Sequence, residues 1–264
     1  MLNKSKKQKL IASLRSYERK FLNNKITELD ESGTRLMIND FLSNVLGYAP
    51  IDEIKTEYMI RGTYADYVIQ TKGIRHFLVE VKALSLQLSD KHLRQAINYG
   101  ANEGIDWALL TNGRNFELYR IIFSKPIEAR KVFSIDFTDK EKFKENVEFV
   151  EFLHRELVLN KGLDLLWNKT VALDPEYIAG YLYDPTVTNF IKRNLNKKFK
   201  TKFCDQEIYN SINKIVAEAI PLEKIKTIKI KKEAKKKVPV DIIIADPILN
   251  KSIELPESVP PQTV

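Results

Sequence analysis

Residues 64–84 read YADYVIQTKGIRHFLVEVKAL, and the fold turns on this stretch. Its apolar residues fall into two groups, 64–70 and 76–84, separated by TKGIR with Gly73 at its centre. β-Branched and aromatic residues on both sides of a short glycine-bearing turn predict a β-hairpin. In the second strand Glu80 and Lys82 interrupt the apolar run. Side chains alternate faces along a strand, so these opposite charges share one face, about 7 Å apart. An antiparallel strand with one wet face shows the same alternation without any chemistry, so the pair alone decides nothing. Pairing symmetric about Gly73, however, sets Asp66 opposite Glu80, and opposed side chains lie only about 5 Å apart. Two carboxylates that close repel, and a divalent cation or a lysine must offset them. Lys82 is next along the same face, although a bulge near the turn would scatter the three.

The flanking sequence extends the pattern. Upstream, residues 54–60 predict a further strand, and before it Glu31 opens a helix whose apolar stripe is Leu36, Phe41, Leu42, Val45 and Leu46, ending at Gly47. Glu31 in the first turn has an ordinary role there, favouring the helix dipole. Downstream, Ser89 and Asp90 cap a helix in which Gln95 and Tyr99, four residues apart, share a face with His92 one turn earlier. DWALLTNGRNFELYRI then reads as strand, turn and strand. The order α-β-β-β-α-β-β over residues 31–123 predicts an α/β fold with a mixed sheet flanked by helices. From about residue 139 the spacing becomes helical, with Phe143, Val147, Val150 and Leu153 on one stripe, and DPEYIAGYLYDPTVTNFIKRNLNKKFK reading as helix, turn and helix.

Composition sets outer limits. The 264 residues are 44% hydrophobic and 30% charged, enough for a sizeable core, and no apolar run approaches the roughly 18 residues of a membrane span. The N-terminus soon becomes charged and does not read as a signal peptide, so a cytoplasmic protein without membrane association is expected. One cysteine and three histidines make no zinc cluster, which leaves oxygen ligands for any metal. The net charge of +8 is uneven: residues 1–25 carry +7 and residues 223–237 carry +6, leaving −5 for the rest. Basic ends around an acidic middle suit a polyanion grip beside a cation site, and equally suit simple solubility. Residues 192–202 add Lys192, Arg193, Lys197, Lys198, Lys200 and Lys202 around Phe199 with no acid, a plausible phosphate-contacting surface.

Taken together, E31-S-G-T34-R35, G62-T-Y-A-D66-Y-V, E80-V-K82-A, Q95-A-I-N-Y99 and L110-T-N-G113 resemble the PD-(D/E)xK nuclease superfamily. They are most like the N-terminal nuclease region of the R subunit of type I restriction enzymes. The resemblance covers about residues 28–123, and Ala65 replaces the family's proline before the aspartate. It implies a restriction-endonuclease-like core over 28–137. That core follows a basic amphipathic helix over 1–27, and precedes a helical region over 138–221 and a Lys-rich, proline-containing tail over 222–264.

The resemblance also implies an Mg²⁺-dependent (or Mn²⁺-dependent) endodeoxyribonuclease of the restriction or phage-defence type. Asp66 and Glu80 would hold the ion, with the Val81 carbonyl as a further ligand and Glu31 as an outer metal or lysine-orienting carboxylate. Lys82 would orient or deprotonate the attacking water, and Gln95 and Tyr99 would contact nucleic acid. DNA is the expected substrate, with RNA open, and helicase or methyltransferase subunits are the expected partners. No G-x-x-x-x-G-K-[ST] phosphate loop occurs, so no ATP-driven motor is expected within these residues. The competing readings are a non-catalytic nucleic-acid-binding or assembly subunit and a structural α/β protein with decorative charges.

Overall fold

The computed structural model describes residues 1–22, 28–60 and 63–217. Helix α1 (Lys4–Phe21) is capped by Asn3, whose side chain accepts the Lys6 amide. Its apolar face, Leu10, Leu14 and Tyr17, is buried, and the Tyr17 hydroxyl donates to the Gly113 carbonyl at 2.7 Å. Helix α2 (Glu31–Asp40) starts at Asp30, which accepts the Gly33 amide, and passes into a π-helical turn, Phe41–Val45. The buried stripe here is Met37, Ile38, Phe41, Leu42, Val45 and Leu46. Leu36 is 69% exposed, which corrects its expected place in the stripe. The reason is rotational: five residues separate Leu36 from Phe41, and helical neighbours on one face lie three or four apart.

Six strands follow: β1 (Ile54–Ile60), β2 (Thr63–Thr71), β3 (Ile74–Val81), β4 (Trp107–Thr111), β5 (Asn115–Ile122) and β6 (Glu128–Asp136). They form one sheet in sequential order, antiparallel except for the parallel pair β3–β4. That parallel step needs a crossover, supplied by α3 (Asp90–Glu103), which ends at left-handed Gly104. The edge strand β6 was not expected from sequence. Its buried alternation is confined to Phe133 and Ile135, while the first half, EARK, carries three charges.

The two sheet faces bury different cores. Tyr67, Ile69, Phe77, Val79, Val81, Leu109, Phe116 and Leu118 join α1, α2 and the later helices in the larger one. Val68, Leu78, Ala108 and Ile121 meet Ala96 and Tyr99 of α3 in the smaller one. Gly100 permits that approach, because a Cβ there would lie 2.3 Å from Ile121 Cδ1 and 2.7 Å from the Ile105 carbonyl oxygen.

Six more helices follow: α4 (Phe143–Leu153), α5 (Arg155–Leu159), α6 (Gly162–Ala172), α7 (Pro175–Tyr181), α8 (Pro185–Phe199) and α9 (Asp205–Ala217). The apolar stripe of α4 buries Val147, Val150 and Leu153 as its spacing predicts. His154 leaves helical geometry at ψ 135 and caps α5 by accepting the Glu156 amide. Arg155 then donates its amide to the Leu46 carbonyl and its guanidinium to both oxygens of buried Glu53, at 2.6 and 2.7 Å. This pair ties the helical segment to the loop before β1. Met1–Lys214 form one compact unit, and a second begins at Ile215. The Lys-rich run 223–237 and the Pro-containing tail lie outside the described residues. Among the described residues, no helix is long and apolar enough to cross a membrane.

Candidate active site

The β2–β3 hairpin brings the site together in two steps. Its loop is Lys72–Gly73, both at positive φ (48° and 81°), with Thr71 paired to Ile74 and Gln70 to Arg75. A two-residue loop of this kind matches the strand twist. Continued unchanged, that register would pair Asp66 with Val79 and send Asp66 and Glu80 to opposite faces. A bulge between Ile69 and Gln70 intervenes, leaving His76 as the extra residue of β3; beyond it Ile69 pairs with Phe77, Val68 with Leu78 and Tyr67 with Val79. One more step sets Asp66 across from Glu80. His76 is steadied at the bulge by the Thr71 hydroxyl, 2.5 Å from Nε2, while burial lowers its pKa and Glu53 opposes that. The feature expected to scatter the cluster is therefore what assembles it.

Asp66, Glu80 and Lys82 are 7, 1 and 8% exposed. They share the sheet face of Val68 and Leu78, beneath α3. Asp66 Oδ2 accepts the Val81 amide at 2.7 Å. Lys82, just beyond β3, keeps its amide in the ladder by donating to the Thr111 carbonyl at 2.8 Å. Its ammonium donates to Glu80 Oε1 at 2.7 Å and lies 3.5 Å from Glu31 Oε1. The other carboxylate oxygen, Glu80 Oε2, is buried with no hydrogen-bond partner. Burial, with Asp66 and Glu31 nearby, raises the Glu80 pKa to about 7 against the opposing pull of Lys82. Burial pulls the Lys82 ammonium down, but the Glu80 hydrogen bond and the three carboxylates outweigh it and raise its pKa.

Arg35, from α2, is the partner that sequence reasoning did not single out within its motif. Its NH2 lies 2.5 Å from Asp66 Oδ1. The signal available was its place four residues after Glu31, since i and i+4 share a helix face and Glu31 reaches Lys82. His92, which the spacing set on the Gln95–Tyr99 face without a role, feels the cluster too: burial and the Lys82 charge lower its pKa, while Glu31 opposes them.

The remaining expected residues lie on α3 and on or just after α8. Gln95 is exposed on α3 and donates its side-chain amide to the Tyr99 hydroxyl at 2.9 Å; the Tyr99 ring is buried in the smaller core. The pair thus shares the α3 face as expected, bonded to each other. Lys192, Arg193, Lys197 and Lys198 lie on α8, and Lys200 and Lys202 follow it. Lys192 pairs with Asp205, and Lys198 sits over the exposed Phe199 ring at 5.4 Å. Among the described residues, no ion pair joins this cluster to Asp66, Glu80 or Lys82.

Two carboxylates across neighbouring strands, with one oxygen unsatisfied and a backbone carbonyl at Val81 between Glu80 and Lys82, make a hard-oxygen donor set that fits Mg²⁺ or Mn²⁺. Among the described residues, no group of three or more His, Cys, Asp or Glu side chains is already arranged for a metal. Any ion there would draw on the main chain and water to complete its shell.

A six-stranded mixed sheet flanked by helices, with acidic residues on adjoining strands and a lysine two residues on, defines an α/β restriction-endonuclease-like fold. Residues 30–129 match the family model of the type I restriction enzyme R protein N terminus (HSDR_N), consistent with a PD-(D/E)xK nuclease-like domain. The match runs from the cap of α2 to the start of β6 and supports a restriction-type nuclease domain over that segment. Searches of curated proteins and of solved structures each gave no match.

Proposed function

We propose that the chain is a metal-dependent nuclease that hydrolyses phosphodiester bonds of DNA, of the restriction or phage-defence type. The observation that carries this reading is Glu80 Oε2, a buried carboxylate oxygen without a partner, on the face where Asp66 opposes it and Lys82 adjoins it. A buried unpaired acceptor costs about 1–3 kcal/mol, more when charged, and a purely structural sheet gains nothing from one.

Asp66, Glu80 and the Val81 carbonyl would hold Mg²⁺ or Mn²⁺. When bound, the ion supplies Lewis-acid neutralisation of the charge that builds on phosphate in the transition state. Lys82, aimed by Glu80 and Glu31, orients the attacking water and donates to a phosphate oxygen; a compact ammonium with three donors suits both tasks. Glu31 is then the lysine-orienting carboxylate, consistent with its 3.5 Å approach. Gln95, steadied by Tyr99, contacts the nucleic acid beside the scissile phosphate, and the basic cluster after Lys192 neutralises phosphates farther along. Helicase or methyltransferase subunits are the partners this reading expects, in the cytoplasm.

The test is incubation of the purified chain with supercoiled plasmid, linear duplex and RNA, in Mg²⁺ or in EDTA. Nicking or linearisation of DNA only with Mg²⁺ is expected, abolished in E80Q and K82A. Mn²⁺ should raise the melting temperature of wild type and K82A but not of E80Q, because Glu80 holds the ion and Lys82 acts on water and phosphate. Binding of nucleic acid without cleavage in every condition would replace this reading by the non-catalytic binding or assembly subunit.

A further inference from the structure

Both oxygens of Asp66 are engaged. Oδ2 takes the Val81 amide at 2.7 Å, and Oδ1 takes the Arg35 guanidinium at 2.5 Å. The same guanidinium reaches Glu57 Oε1 at 4.0 Å, and its Nε is buried without a hydrogen-bond partner. Glu57 lies across from Asp66, between the pairs Thr56–Tyr67 and Tyr58–Ala65, and is held at φ 47° within β1. That conformation is uncommon for a residue bearing a Cβ. Among the described residues, these ion pairs set four carboxylates, Glu31, Glu57, Asp66 and Glu80, against two cations, Arg35 and Lys82. With every group ionised, the excess is two negative charges, the charge that one divalent ion neutralises.

We propose that Arg35 is a displaceable stand-in for the metal: its guanidinium holds Asp66 Oδ1 in the metal-free protein and leaves that oxygen when an ion is shared by Asp66 and Glu80. This rests on the metal-dependent reading above. A guanidinium and a divalent cation repel, so they do not both sit at close range on one carboxylate oxygen. Glu80 Oε2 is buried without a hydrogen-bond partner, whereas Asp66 Oδ1 becomes available only as Arg35 withdraws. Arg35 is therefore a positioning residue. It keeps Asp66 oriented and its charge balanced until the ion arrives, and its departure is a cost that metal binding must overcome.

The test is calorimetric titration of Mn²⁺ into the full chain without nucleic acid, comparing wild type, R35K and R35Q. R35Q has no ion pair to break and is expected to bind Mn²⁺ about tenfold more tightly than wild type, the equivalent of one charge-assisted hydrogen bond. R35K should fall between, because an ammonium keeps the charge but loses the forked geometry. Equal or weaker Mn²⁺ binding by R35Q, in a variant with wild-type circular dichroism, overturns the inference. Should R35Q fail to fold, R35K carries the test, and binding no tighter than wild type overturns it. E80Q separates the two levels of the argument. Mn²⁺ binding that is lost in E80Q but indifferent to Arg35 substitution refutes the stand-in alone, whereas no Mn²⁺ binding by wild type refutes the metal-dependent reading and the stand-in with it.

Discussion

Replacing Glu80 by glutamine in the metal-free protein isolates what the buried carboxylate costs the fold. Glu80 is 1% exposed and its pKa rises from 4.5 to about 7, mainly through burial. The folded protein therefore holds this proton more tightly than the unfolded chain does. Below about pH 4.5 the group is protonated in both states, and its contribution is fully present. As pH rises towards about 7 the unfolded chain has already released the proton while the folded one retains it, so stability falls and then levels off. At about 1.4 kcal/mol per tenfold change in proton activity, the loss across this window is about 3 kcal/mol. Glutamine does not titrate, so this component disappears in E80Q. Urea denaturation of both proteins in EDTA at pH 5 and pH 8 measures it, because other titrating groups cancel in the difference between the two pH responses. Wild type should lose about 2.5 kcal/mol more than E80Q between pH 5 and pH 8, since part of the window lies below pH 5. Adding Mn²⁺ at pH 8 should restore stability to wild type alone. Identical pH responses would refute the premise that burial strains this carboxylate, and with it the case for an ion at Glu80 Oε2.

Gln95 is exposed whereas Tyr99 is buried, so Q95A should lower cleavage with the melting temperature unchanged, while Y99A should cost about 3 kcal/mol of stability from the cavity left behind. Cleavage unchanged in Q95A would reduce the pair to a packing role. Replacing Lys197, Lys198, Lys200 and Lys202 by glutamine should weaken DNA binding and flatten its log–log salt slope by about 0.9 for each phosphate no longer neutralised, as read by anisotropy over a salt series. Glu53 has its pKa lowered by the Arg155 hydrogen bond against the opposing effect of burial, so its stabilisation is present above the ordinary carboxylate range and is lost as pH falls through the lowered value. R155A should cost about 2 kcal/mol at pH 7, allowing for the exposure of Arg155, and less at acid pH, as read by denaturant titration.

Where period and local chemistry suffice, the sequence by itself determined the outcome. The alternation of VEVK put Glu80 and Lys82 on one face, the Gly73 turn made the hairpin, and the Gln95–Tyr99 spacing put both on one stripe of α3. These are properties of neighbours along the chain, set by a repeat of two or of about 3.6 residues. Tertiary structure decided what depends on residues far apart in sequence. A loop of two residues would by itself have sent Asp66 to the wrong face, and the extra residue His76 returns it; no local pattern marks that bulge. The break at His154 has the same character, since the Arg155 amide and guanidinium are claimed by Leu46 and Glu53, a hundred residues earlier. Strand β6 pairs only because β5 lies beside it, and Tyr17 reaches Gly113 only once the sheet is built. The hold of Arg35 on Asp66 joins a helix to a strand 31 residues away. Periodicity says which way a side chain faces; which charge it meets is settled only when separate elements pack, because that pairing is a property of distance in space rather than along the chain.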